Sequence, residues 1–267
     1  CSKRLHFTEP YIAEVVARLV AAGKEVIFAT LAMVTLERES QHVRNLIRSA
    51  GHPVEASDLS ALGLLNGKPH VIGPLINVYN AATARLLASR GARPIGLPRE
   101  LPSESISAIA AGAPEVEHEV FAFGRMPLAI SARCAHARSK GHIKDNCQFV
   151  CGEEPDGLPV RTLDRQSFLV LNGVQTVSHT CQMLAAEIPS LRQAGIARFR
   201  LSPQDCDMVA IAAVFSDLLH DRIDAEEVVA RVGQIYPGVP LANGFLHARE
   251  GAAWVTRARN ASAQPSM

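Results

Sequence analysis

Short β-branched runs give way again and again to Ala- and Leu-rich helical patterns, at a spacing of about 20–30 residues. Strands spaced in this way need a crossover helix between them, so they read as a parallel sheet with both faces covered. Strands are predicted at Lys24–Leu31, Pro53–Ala56, His70–Val78, Arg93–Leu97, Glu117–Phe123, Ser167–Asn172 and Ala197–Ser202. Helices are predicted at Glu37–Ala50, closed by Gly51, then from the cap Asp58 to near Gly67, and at Ala81–Arg90 behind the cap Asn80. Three more are predicted at Ser103–Ala111, Cys181–Gln193 and Asp205–Leu219. An α/β barrel and an open doubly wound sheet both fit this order. No G-x-G-x-x-G follows a strand, which removes support from a dinucleotide-binding sheet.

The reading adopted is an α/β fold of the TIM-like (β/α) barrel type, N-terminally truncated, as a single barrel-like domain over residues 1–256. The chain opens on Cys1 without an initiator Met, which reads as a lost or processed start. Residues 133–165 carry no apolar period and form a cysteine-containing, cluster-binding insertion over the strand ends. The stretch RARNASAQPSM, residues 257–267, is expected to be a disordered tail. Polar residues follow the predicted strands at Thr30, Glu55, Asn77, Asn80, Glu100, Glu119, Asn172 and Ser202. In a barrel those strand ends form the active face, although any one of these residues also serves as a plain helix cap.

The insertion spaces its thiols as C-x12-C-x3-C, at Cys134, Cys147 and Cys151. One helical turn through the last pair would point both sulfurs the same way. Converging thiolates in a reducing compartment suit a soft metal better than a disulfide. A 4Fe-4S cluster fits this spacing better than structural zinc, which favours close C-x2-C pairs, though His136 and His142 could complete a zinc tetrahedron. Arg133, Arg138, Lys140 and Lys144 flank these cysteines, and Lys3 and Arg4 follow Cys1, a cationic surround that would help hold a negatively charged cluster. Spacing leaves Cys1, Cys181 and Cys206 all open as the fourth ligand.

Composition excludes several classes. Hydrophobic residues make up 48% and charged residues 20%, the balance of an ordinary globular chain. A net charge of +1 implies no general attraction to nucleic acid or anionic membrane. No apolar run reaches the roughly 18 residues of a membrane span, and no signal peptide is visible. A cytoplasmic location is the default reading.

The segments CSKR at Cys1, TLAMV at Thr30, EASDL at Glu55, NVYNAAT at Asn77, EVEHEVFAFGRMPLAISARC ending at Cys134, KDNCQFVC, FLVLNGVQT and RLSPQ together resemble the collagenase-like peptidase family, in its prephenate-dependent, ubiquinone-biosynthesis hydroxylase branch. The resemblance runs from Cys1 to about His247. It implies a 4Fe-4S cluster held by Cys1, Cys134, Cys147 and Cys151, with Cys181 and Cys206 matching no ligand position. It further implies an oxygen-independent hydroxylase subunit acting on a quinone precursor, with a prephenate-like oxygen donor. The implied partners are a UbiU-like homologous cluster protein, in a heterodimer, and an accessory lipid-binding protein.

Prephenate-like donors carry carboxylates, which makes Arg125, Arg133 and Arg200 candidates for the guanidinium fork that matches them. Glu119 and Asn77 stand at predicted strand ends without an assigned role, and no catalytic residue is named. Hydrolysis is the alternative activity. Neither G-x-S-x-G nor H-E-x-x-H occurs, so the residues single out no nucleophile–base pair and no zinc-bound water. A third reading makes the cluster, or a zinc ion, a structural pin for a binding scaffold.

Overall fold

The computed structural model describes residues 8–256. Cys1, Lys3, Arg4 and the 257–267 tail lie outside the described residues.

Local chemistry sets the first half. Helix α1 (Glu9–Ala21) starts where the Thr8 hydroxyl accepts the Tyr11 N–H at 3.4 Å. Strand β1 (Phe28–Ala29), α2 (Glu37–Ser49), β2 (Val54–Ala56), α3 (Leu59–Leu65) and β3 (His70–Ile72) follow in turn. Next come α4 (Ala81–Ser89), β4 (Ala92–Gly96), α5 (Ser103–Gly112) and β5 (His118–Ile130). Asp58 and Asn80 cap α3 and α4, each accepting a first-turn backbone N–H at 2.8 Å. The strands β1 to β5 pair side by side, all parallel. Every residue of β2 and β3 is buried, as a parallel sheet covered on both faces requires.

Strand β5 then does two things. Its first half pairs in parallel with β4 and with β9 (Ile196–Leu201), from His118 beside Ile196 to Phe123 beside Leu201. Its second half runs antiparallel to β8 (Gln175–Met183), from Phe123 opposite Met183 to Ile130 opposite Gln175. Between them the chain forms α6 (Ala135–Ser139), β6 (Leu158–Arg161) and β7 (Ser167–Asn172), and β6 and β7 extend the antiparallel part. Helix α7 (Ile188–Gln193) leads into β9, and α8 (Met208–Leu219) and α9 (Ala225–Ile235) lead to β10 (Leu241–Ala242). Strand β10 lies parallel to β8, with Leu241 beside Cys181. The core runs between sheet and helices, and the Phe123 and Phe215 rings meet in it at 5.9 Å.

The result is a mixed α/β fold with a curled half-barrel sheet. Among the described residues no strand joins β10 to β1, so the truncated, barrel-like wall expected from the sequence is present as a half-barrel. Other expectations need correction. The strand at 24–31 shrinks to Phe28–Ala29, and the one at 70–78 stops at Ile72. Pro74, which has no N–H to give a ladder, opens a 3-10 turn there. The helix expected at Cys181–Gln193 begins only at Ile188. Cys181 to Met183 belong to β8, where pairing with β5 and β10 overrides a helical pattern. The single helical turn through Cys147 and Cys151 is also replaced. Two 3-10 turns, Lys144–Asn146 and Val150–Gly152, flank Gln148 and Phe149, whose φ values of 50° and 57° are left-handed and stop a right-handed turn.

Candidate functional site

Charged residues gather where the parallel strands point. Arg200 on β9 donates from Nη1 to Glu55 on β2 at 3.3 Å. Its Nη2 also reaches Glu55, and its Nε reaches Glu119 on β5. Burial works against the guanidinium charge, but hydrogen bonds and attraction from Glu55 and Glu119 outweigh it and raise its pKa. Gly73 makes this cluster possible: a Cβ there would stand 2.8 Å from Glu55 Oε1. Beside it, the buried Thr30 hydroxyl accepts the Ser57 N–H at 3.0 Å and ties the end of β1 to the end of β2.

Arg99 follows β4. Its Nη1 donates to the Pro127 carbonyl at 3.1 Å, and its guanidinium carbon sits 5.7 Å from the centroid of the Phe121 ring. Its Nε is buried and has no hydrogen-bond partner among the described residues. Burial is the main cause of its lowered pKa. Next to it, the Tyr79 hydroxyl donates to Glu100, and chiefly that bond pushes the phenol up to about 12.

A second constellation lies where β5 meets β8. Arg125 donates to Asp156 Oδ2 from Nη2 at 2.7 Å and from Nε at 3.2 Å, and from Nη1 to the Ser178 carbonyl at 3.2 Å. Asp156 also accepts the Tyr236 hydroxyl at 2.5 Å, and burial together with that bond raises the Tyr236 pKa. Arg125, Asp156, Asn172, Gln175, Ser202 and Gln204 line a polar cavity of about 290 Å³.

The thiol segment leaves from the far end of β5. Cys134 is buried at the N-terminus of α6, where its Sγ accepts the Ala137 N–H at 3.3 Å. Cys151 is buried on a turn that packs against α6, and Cys147 is half-buried. Cys134 and Cys147 carry free thiols. The donor chemistry suits a soft, thiolate-bound metal, and the N–H bond to Cys134 Sγ is of the kind that tunes cluster sulfurs. Among the described residues, however, no three Cys, His, Asp or Glu side chains converge closely enough to hold a metal ion, and Cys1 lies outside them.

The cationic surround is smaller than expected. Lys140 is paired with Glu153 at 3.2 Å and Glu154 at 2.6 Å. Arg133, Arg138 and Lys144 line a cavity of about 500 Å³ together with Cys134. His136, offered above as one completing ligand of a zinc tetrahedron, is fully buried. Its ring nitrogens face the Leu171 carbonyl at 3.1 Å and Glu154 at 3.0 Å.

Of the arginines proposed from the sequence, Arg125 and Arg200 are held by carboxylates of the chain itself, and Arg133 is exposed beside Cys134. Asn80 is a helix cap, and Asn77 holds a left-handed φ of 60°. Sequence reasoning missed Arg99, Tyr79, Asp156 and Tyr236. Arg99 stands two residues past a predicted strand, and that position was its one available signal. Asp156 and Tyr236 are 80 residues apart, and only tertiary pairing brings them together.

Fold and site define an α/β half-barrel protein with charged strand ends and a thiol-bearing excursion. Residues 2–255 match the profile of peptidase family U32, and the chain belongs to that family. This bears out the collagenase-like peptidase family expected from the sequence motifs. A solved structure described as that of the U32 peptidase Mk0906 aligns with 74% of this chain and 77% of its own, at 16% identity and a TM-score of 0.42.

Proposed function

We propose that this chain is the UbiV-like, iron–sulfur subunit of an oxygen-independent hydroxylase of ubiquinone biosynthesis. In this reading Cys1, Cys134, Cys147 and Cys151 would hold a 4Fe-4S cluster. A bound cluster would supply electron transfer in a reaction whose oxygen comes from a donor other than dioxygen. The subunit would act in the cytoplasm with a UbiU-like partner and an accessory lipid-binding protein, on a quinone precursor, with a prephenate-like oxygen donor. The observation that carries the reading is the C-x12-C-x3-C segment, with Cys134 and Cys151 buried on elements that pack together. What the chain's own residues do is narrower. Cys134 Sγ is held by the Ala137 N–H, and Arg133, Arg138 and Lys144 set a positive potential over the adjoining cavity.

Family membership favours hydrolysis as a second reading. Against it, the hydrogen-bonded histidine rings at His70, His118, His136, His179, His220 and His247 all meet carbonyls or carboxylates, not the hydroxyl of a nucleophile. The test is anaerobic purification with and without the partner protein, quantifying iron and sulfide, alongside a gelatin-cleavage assay. Iron and sulfide bound in stoichiometric amounts would support the cluster reading. Cleavage by iron-free protein would support the peptidase reading.

A further inference from the structure

No reading above gives His136 a task, although its side chain is fully buried within the thiol excursion. Burying an imidazole is costly unless its ring nitrogens find partners. Here both do. Nδ1 meets the Leu171 carbonyl on β7 at 3.1 Å, and Nε2 meets Glu154 Oε2 at 3.0 Å. With both nitrogens engaged, service as a zinc ligand would require breaking one of these bonds.

The two bonds join three separate pieces of chain. His136 stands two residues after Cys134 on α6, Glu154 stands three residues after Cys151, and Leu171 belongs to β7. Local structure does little to fix these pieces. Helix α6 has five residues, too few to hold its shape unaided, and Lys144–Asn146 and Val150–Gly152 are single 3-10 turns. Lys140 also reaches Glu153 at 3.2 Å and Glu154 at 2.6 Å, but its side chain is 32% exposed, and exposed ion pairs contribute little. The bond made by the buried ring is the stronger tie, because water does not compete for it on the histidine side.

We infer that His136 and Glu154 are positioning residues. Their bond sets the helix behind Cys134 against the turn that carries Cys151, and the Leu171 carbonyl docks both onto the antiparallel overhang. Cys134 and Cys151 are 7% and 8% exposed, and this tie keeps them so. The consequence for iron rests on the cluster reading, since ligands held at a preset spacing by their neighbours bind a metal more tightly. The tie itself is a property of the chain alone.

The test is iodoacetamide labelling of the reduced, iron-free full chain, followed cysteine by cysteine by peptide mass spectrometry. Glu154→Ala should speed labelling of Cys134 and Cys151 by about tenfold, as the excursion opens more easily, and leave Cys181 unchanged. Glu154→Gln should restore most of the protection, because an amide can still bond Nε2. Lys140→Ala, which removes only the exposed pair, should speed both by less than about threefold. His136→Ala should match Glu154→Ala, and the double variant should be no faster than either. Should His136→Ala fail to fold, the two Glu154 variants decide alone. Unchanged labelling in Glu154→Ala would overturn the tie. So would equal acceleration of Cys181, which marks general loosening, absence of rescue by Glu154→Gln, or an effect of Lys140→Ala as large as that of Glu154→Ala. Labelling needs no iron, so a native protein that binds none defeats the cluster reading alone, and labelling that Glu154→Ala leaves unchanged defeats the tie alone.

Discussion

Arg200 and Glu55 are 145 residues apart in the chain and are joined across the inside of the half-barrel by two guanidinium–carboxylate contacts. Glu119 takes the third donor, so one cation serves two carboxylates from two strands. Arg200→Met would strand both carboxylates, one of them nearly buried, and is expected to cost about 3 kcal/mol. Arg200→Lys should recover only part of this, since an ammonium cannot fork. Urea denaturation midpoints measure both, and an unchanged midpoint in Arg200→Met would refute the role given to the pair.

Gly73 gives Glu55 its room. Gly73→Ala puts a methyl 2.8 Å from Glu55 Oε1 and 3.0 Å from the Ala56 carbonyl oxygen, and overpacking of this kind costs about 1–3 kcal/mol. Gly63 in α3 is the control, because a Cβ there meets nothing within 4 Å. Gly63→Ala should stabilise by about 0.5–1 kcal/mol. Thermal unfolding of the two variants should move in opposite directions.

The cluster reading separates the cysteines into two groups. Cys147→Ala should abolish the brown colour, the cluster absorbance and the bound iron of anaerobically purified protein. Cys181→Ser should leave iron content intact, because Cys181 sits fully buried in β8 among core residues. Iron retained by the first variant, or lost by the second, would show the ligand set to be wrong.

Burial pushes the Cys181 thiol from 9.0 up to about 12. Its proton is held more tightly in the folded state than in the unfolded state. The stability it contributes is therefore complete below pH 9 and is lost as pH rises from 9 towards 12. Urea midpoints of the native protein should fall more steeply across that window than those of Cys181→Ala, and iodoacetamide should reach Cys181 only on unfolding. Parallel pH profiles for the two proteins would contradict this.

The parallel strands and their helices were legible because caps and β-branched runs act locally. Asp58 and Asn80 announce α3 and α4 by the bonds their side chains make. Of the antiparallel part β7 was legible at Ser167–Asn172, but β6 and β8 were not, because the end of β8 at Cys181–Met183 becomes a strand only with β5 and β10 as neighbours. At the site, Glu55 and Glu119 could be picked out as polar residues at strand ends, and Arg200 as a candidate partner for a carboxylate. That they satisfy one another is a fact of register, which a single sequence does not carry. Arg99 escaped because a guanidinium with one donor spent and another stranded looks, in sequence, like any surface arginine.

Strand β5 has thirteen residues, a length of about 40 Å at roughly 3.3 Å per residue. One end is a stave of the curled wall, and the other is a girder that carries the excursion with Cys134 at its tip. Between that tip and Phe121 the ribbon is interrupted by shifts of register at Arg125–Pro127 and Pro127–Ala129 and by Gly124 at a φ of 123°, so the overhang can bend there apart from the wall. Evolution can also remodel the overhang while the wall keeps its alignment.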